Sequence, residues 1–177
     1  MDGMKKWMEG LKITRTKLYG SEGKSNFDDV EDADGTLRHI AALCVRSGYI
    51  MDAIGVVDAY GTKYLHGNPE GGTENYILLE NDEIHTICGD IGVSYHGNAI
   101  SNLTIEMKSG KKYGPFGTGK SGKHFSLTLP ENTNFAGFYG NADEIIVKSI
   151  GLIGCEGGEE IFEKMLEQVK EGEGLWE

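Results

Sequence analysis

The sequence predicts an all-β domain in which three similar sheet units pack as a prism or barrel with pseudo-threefold symmetry. Three observations lead there. Glycine accounts for 27 of the 177 residues and proline for only 3; glycine usage is about twice the ordinary ~7%. Glycines scattered among short apolar alternations read as turns between many short strands. Next, glycine-rich loops recur, each ending on an aromatic: GSEGKSNF (20–27), GNPEGGTENY (67–76) and GTGKSGKHF (117–125), with Phe27, Tyr76 and Phe125 spaced 49 residues apart twice over. Finally, a second set follows the loops, GYIMDAIGV (48–56), GNAISNLTI (97–105) and EIIVKSIGL (144–152), at intervals of 49 and 47 residues. Units this small cannot each bury a sheet face alone, so they must share one core. A β-sandwich with coincidentally similar turns is the other architecture this pattern allows.

Each element has a local reason. Met4, Trp7, Met8 and Leu11 fall at i, i+3, i+4, i+7 and predict a short amphipathic helix within an N-terminal extension, residues 1–15. Leu37, His39, Ala41, Leu43 and Val45 alternate with Arg38, Ile40, Ala42, Cys44 and Arg46, as in a half-buried strand. Ile100 to Met107 alternates likewise, and Ser109-Gly110-Lys111-Lys112 predicts a hairpin turn. An acidic C-terminal extension, 155–177, carries Phe162, Met165, Leu166 and Val169 at helical spacing, predicting a helix over 159–171. The net charge is +3 over residues 1–20 and −6 over 156–177. These ends either fray in solvent or pack on each other or on a second protomer. The domain proper is 16–154.

Composition excludes several function classes. The net charge is −11, which leaves no basic stripe for nucleic acid. The longest apolar run, 40–45, is far short of the ~20 residues of a membrane-spanning helix. MDGMKKWMEG has no apolar h-region, so no signal peptide and a cytoplasmic location are expected. Cys44, Cys88 and Cys155 form no CxxC pair and read as thiols, the first two buried. The five histidines are scattered, with His39 and His85 on strand patterns and His66 beside the 67–72 loop. DDVEDADG (28–35) lacks EF-hand spacing and reads as a solvated loop. GTGKSGK (117–123) has His124 where a phosphate loop needs Ser or Thr. No cofactor, metal or catalytic residue is expected, and no enzyme motif appears.

The bend Gly48-Tyr49-Ile50-Met51-Asp52 offers a different chemistry. A glycine-opened turn can present backbone N–H groups outward. Asp52 closes it with two acceptor oxygens. Donors beside a carboxylate match the vicinal hydroxyls of a sugar, each of which donates and accepts. Gly71-Gly72, the one consecutive glycine pair among the three loops, would add an N–H with no side chain in the way. Alternatively, Asp52 simply caps its own turn, and Tyr49 either stacks on a sugar face or covers the sheet edge.

FDD (27–29), GYIMDAIGVV (48–57), HGNPEGGT (66–73), ENDEIHTICGDIG (80–92), YGPFG (113–117), GKHFSLTLP (122–130) and GFYG (137–140) together resemble the jacalin-related lectins, in that family's order. The resemblance implies a β-prism I of three Greek keys and sugar binding through a GxxxD turn plus a glycine loop. Only the first unit carries the whole pattern: Gly48 and Asp52, with Tyr49 and Ile50 as backbone donors, and Gly71 and Gly72 in the partner loop. Ser101 stands for Asp in the second unit. In the third, Glu144 replaces Gly, Lys148 replaces Asp, and Lys24 follows Gly23 in the loop. The resemblance therefore implies a mannose- or glucose-type lectin with one site per chain, binding glycans and gaining avidity as a homo-oligomer. The alternative is an assembly module whose sugar sites have decayed.

Overall fold

The computed structural model describes residues 12–22, 25–119 and 122–157, together with residues 160, 163, 164 and 167. The chain starts with three short strands, β1 (Ile13–Arg15), β2 (Tyr19–Gly20) and β3 (Ser25–Asp28), followed by a 3-10 turn at Glu31–Ala33. Then come β4 (Ile40–Ser47), β5 (Met51–Asp58), β6 (Lys63–Gly67) and β7 (Thr73–Leu78). A second set follows: β8 (Ile84–Ser94), β9 (Gly97–Met107), β10 (Lys112–Phe116) and β11 (Lys123–Thr128). The last strands are β12 (Thr133–Ala142) and β13 (Val147–Glu156).

Two sheets have the strand orders β6-β5-β4-β7 and β10-β9-β8-β11. In each, three consecutive strands are hairpin-linked and the fourth returns beside the first, which is a Greek key. The third sheet, β1-β13-β12-β3 with β2 also on β13, repeats that arrangement with its outer strands taken from the start of the chain. This is the expected β-prism of three antiparallel sheets. Ser109-Gly110 turns β9 into β10 as predicted, with Met107 N–H donating to Lys111 O at 2.8 Å.

The inward residues of all three sheets meet in one core that includes Leu43, Ile54, Ile87, Leu103, Phe138 and Leu152, each essentially inaccessible. Each such side chain contributes about 1.5–3 kcal/mol by leaving water. The aromatic repeat is imperfect in phase. Phe27 lies opposite Gly140 and Phe125 opposite Gly89, both rings buried. Tyr76 lies opposite Cys44, one step further along, and is 52% exposed; Asn75, opposite Val45, is the true equivalent. A one-residue offset in a strand swaps faces.

Bulges repeat more faithfully than aromatics. Between β4 and β5 the pairing passes from Arg46↔Ala53 to Ser47↔Met51, leaving Asp52 as the extra residue. Asp90↔Asn102 passes to Ile91↔Ile100 and leaves Ser101. Asn141↔Ser149 passes to Ala142↔Val147 and leaves Lys148. A bulged residue has no ladder partner and its side chain is re-aimed. The three units thus set Asp52, Ser101 and Lys148 at equivalent points, as the GxxxD spacing implied.

Other expectations need adjustment. DDVEDADG is a solvated loop only from Glu31 on; its first three residues are packed. Asp28 is gripped by Arg15, Nε to Oδ2 at 2.8 Å and Nη2 to Oδ1 at 3.0 Å, while Asp29 is 2% exposed. His39 precedes β4 rather than lying in a strand, and Cys88 is only half-buried. Burial pushes the Cys155 thiol up to about 11. The N-terminal stripe Met4, Trp7, Met8 and Leu11, and the side chains of Phe162, Met165, Leu166 and Val169, lie outside the described residues; Glu160, Glu163, Lys164 and Glu167 are helical.

Candidate functional site

Strands β4 and β5 hold the bend 48–50 between them, and β6 and β7 hold the loop 68–72 alongside. Gly67, Gly117 and Gly20 occupy equivalent points under the carbonyls of Asp52, Ser101 and Lys148. All three have positive φ, +115°, +90° and +126°, and a Cβ on any of them would collide with that carbonyl oxygen. Glycine is therefore required there by both conformation and space. In the first unit Asn68 N–H donates to Asp52 O at 2.8 Å, and Asn68 Oδ1 accepts from Glu70 N–H at 3.0 Å. This fixes the loop over the bulge.

The Asp52 side chain faces both glycine elements. A Cβ on Gly71 would lie 3.0 Å from Asp52 Oδ1, and one on Gly72 (φ +64°) would lie 2.5 Å from Oδ2. One on Gly48 would be 3.9 Å from Oδ2 and from Gly72 Cα. Asp52 is half-buried, not turned into the core. Among the described residues no group donates to its carboxylate, so it does not cap its turn. Burial pushes the carboxyl above its ordinary value, and the Arg46 charge partly opposes that.

The bend and the adjoining loop carry uncommitted donors. The N–H groups of Tyr49, Ile50 and Gly72 donate to no described backbone or side-chain acceptor, while Gly48 N–H donates to Ile50 O at 3.1 Å. The bend is braced from the second unit: Gly119 N–H donates to Tyr49 O at 2.8 Å and Thr118 N–H to Gly48 O at 3.1 Å. Tyr49 is 66% exposed. All six sequence-predicted residues thus lie in the bend and the adjoining loop, with Gly48, Gly71 and Gly72 directly against the Asp52 carboxylate and Tyr49 and Ile50 beside it in the bend.

The sister bends differ chemically. Ser101 is 4% exposed and lies against Gly119, whose added Cβ would be 3.0 Å from Ser101 Cβ. Lys148 Nζ reaches His96 O at 3.4 Å and Asp143 Oδ2 at 3.8 Å, bridging the second and third bends. Neither offers an acceptor pair. Gly23 and Lys24 of the third loop lie outside the described residues.

His66 is turned away from the loop: its Nε2 meets Asp29 Oδ1 at 2.6 Å and its ring stacks on Phe27 at 4.0 Å. Sequence reasoning missed Arg46. Its Nε donates to Gly71 O at 2.8 Å, its Nη2 to Gly72 O at 3.4 Å and its Nη1 to Glu74 Oε2 at 2.6 Å. The alternation had already set Arg46 on the outward face of a strand, and nothing local says that it spans to residues 71 and 72. Among the described residues no group of His, Cys, Asp and Glu could hold a metal ion.

A three-sheet prism with a glycine-walled carboxylate at a hairpin end is the architecture of a carbohydrate-binding lectin. The jacalin-like lectin domain profile matches residues 16–153. The chain belongs to that family, and its members are lectins rather than enzymes. Among solved structures it is similar to the Malaysian banana lectin, at 26% identity and a TM-score of 0.66, covering 81% of this chain and 98% of that one. It is also similar to a mannose-specific jacalin-related lectin from Morus nigra in complex with mannose, at 25% identity and a TM-score of 0.66, covering 81% and 94%. The artocarpin–mannotriose complex, at 19% identity and a TM-score of 0.67, covers 82% and 98% and shares the fold. No curated protein sequence matches the chain.

Proposed function

We propose that the first bend binds a hexopyranose of the mannose or glucose type, one per chain. Asp52 accepts hydrogen bonds from two neighbouring ring hydroxyls, and the N–H groups of Tyr49, Ile50 and Gly72 donate to their oxygens. The observation that carries this is the half-buried Asp52 carboxylate, left without a described donor and walled by two glycines. Holding a partly desolvated acceptor unpaired costs free energy, and a polyol hydroxyl removes that cost. The likeness to the Morus nigra lectin, whose structure holds mannose, supports the choice of sugar. The lectin domain in this reading is 16–154, flanked by two extensions. A shallow single site binds weakly, so avidity comes from assembly of several chains.

Titration with methyl α-mannoside tests the reading. Hydrogen bonds to a charged acceptor are worth about 1.5–3 kcal/mol each, so Asp52→Asn is expected to weaken binding by roughly a hundredfold or more. Lys148→Ala should leave it unchanged. The Asp52 carboxyl is raised, so the folded state binds its proton more readily than the unfolded chain, and stability falls as pH rises past the ordinary value of 3.8. Asp52→Asn removes that penalty, and its Tm at neutral pH should be no lower than the parent's. Asp52→Asn binding as tightly as the parent, or a parent that binds neither mannose nor glucose, would overturn the assignment.

A further inference from the structure

We propose that Arg46 is a positioning residue for this site: its guanidinium holds the carbonyls of Gly71 and Gly72 and so sets the Gly72 N–H and the glycine wall against Asp52. The proposal rests on the first bend being the sugar site. The contacts are those of a planar fork. Nε and Nη2 share one edge of the guanidinium and take two successive carbonyls, at 2.8 and 3.4 Å, while Nη1 turns to Glu74 at 2.6 Å. In a trans peptide the N–H points opposite to the preceding C=O. Fixing Gly71 O on Arg46 therefore fixes the direction of the Gly72 N–H.

The fork is itself held. The Arg46 side chain is 15% exposed and that of Glu74 is 27% exposed. The Tyr76 hydroxyl, with Lys63 Nζ at 3.2 Å and Arg46 Nη1 at 2.6 Å, holds the Glu74 carboxyl at about 2, so the anchor stays ionised across ordinary pH. The second unit repeats the device with other residues. Asn102 Nδ2 donates to Gly119 O at 2.5 Å and is tied to Asp90 Oδ2 at 2.8 Å. In both units a side-chain donor, fixed by a carboxylate, seizes a glycine-loop carbonyl beside the bulge. A loop carrying glycines loses much entropy when it orders, and ordering it before the ligand arrives strengthens binding.

Charge and shape have separable consequences. Arg46 is the charge that acts on Asp52, opposing the effect of its burial. Arg46→Lys keeps the charge and loses the fork; Arg46→Met loses both. Methyl α-mannoside affinity would be measured from about pH 3 to 8 for the parent and both variants, with thermal melts at each pH. Both variants should lose roughly tenfold in affinity at neutral pH, the scale of one or two lost ordering contacts. The acid limb of binding should move to higher pH in Arg46→Met but stay in place in Arg46→Lys. The acid limb reads the charge alone; a purely structural role would lower Tm in step with affinity in Arg46→Lys, whereas loss of positioning lowers affinity there with Tm nearly unchanged. Parent-like affinity in Arg46→Met, while Asp52→Asn abolishes binding, would overturn the role of Arg46 and leave the sugar site standing. Absence of binding in the parent would remove both.

Discussion

Gly72→Ala separates the geometry of the site from its chemistry. Residue 72 has φ +64°, a left-handed conformation that costs a residue with a side chain about 1–2 kcal/mol. The new methyl would also sit 2.5 Å from Asp52 Oδ2 and from Ser47 C and O. Backbone at that distance has to move, which adds about 1–3 kcal/mol of strain. The stiffer unfolded chain returns about 0.4–1 kcal/mol. The net loss is about 1–5 kcal/mol, and at about 2–4 °C per kcal/mol for a chain of this size Tm should fall roughly 2–20 °C. Gly71→Ala is the control. Its φ is ordinary and its methyl meets the Asn68 side chain at 2.7 Å and Asp52 Oδ1 at 3.0 Å, groups that can swing aside. It should change stability by less than about 1 kcal/mol. Both variants should lose mannoside binding, because each methyl occupies the space where a hydroxyl would meet the carboxylate. Calorimetric melting and ligand titration read the two effects separately. A Gly72→Ala protein that melts and binds like the parent would refute the packing of Asp52 on the glycine pair.

Two further predictions concern the fold. Asp29 accepts from Phe138 N–H at 2.8 Å and meets His66 at 2.6 Å in a buried position; Asp29→Ala strands both and should cost about 3–5 kcal/mol in urea unfolding, a loss under 1 kcal/mol refuting the account. Burial alone would raise the Asp28 carboxyl, but Arg15 and the N–H groups of Glu31 and Val30 hold it below its ordinary 3.8. The folded state thus releases this proton more readily than the unfolded chain does. Its contribution is complete above the ordinary value and is lost as pH falls through the depressed one. Arg15→Met should therefore cost about 1 kcal/mol at neutral pH, the upper range for a partly exposed pair, and nothing in acid; a gap that stayed constant with pH would sink that explanation.

The fold was legible because two periodicities agreed. Alternation marked the strands, and the 49-residue interval marked the copies; the bulges at Asp52, Ser101 and Lys148 kept their form even where the third bend has Glu144 in place of glycine. Tyr76 shows the limit: a matching residue type at a matching distance sat on the wrong face, since pairing register depends on the partner strand. The site was legible through Gly48, Asp52, Gly71 and Gly72, whose roles depend on backbone shape and a single charge. Arg46, Asp90 and Asn102 were not, because their contacts cross to loops distant in the chain. His66 lay beside the glycine loop in sequence yet faces Asp29, since adjacent strand residues point to opposite sides.

The third sheet joins the two extremes of the described chain: Ile13 pairs with Cys155, and Phe27 with Gly140. During synthesis the first three strands must wait, unzipped, until the last two have left the ribosome, while the other two sheets can close as they emerge. Pairings this remote in sequence form slowly. The same seam sets Ile13 beside Cys155, so a loosened first strand would bare one edge of β13 while the other two sheets stay closed.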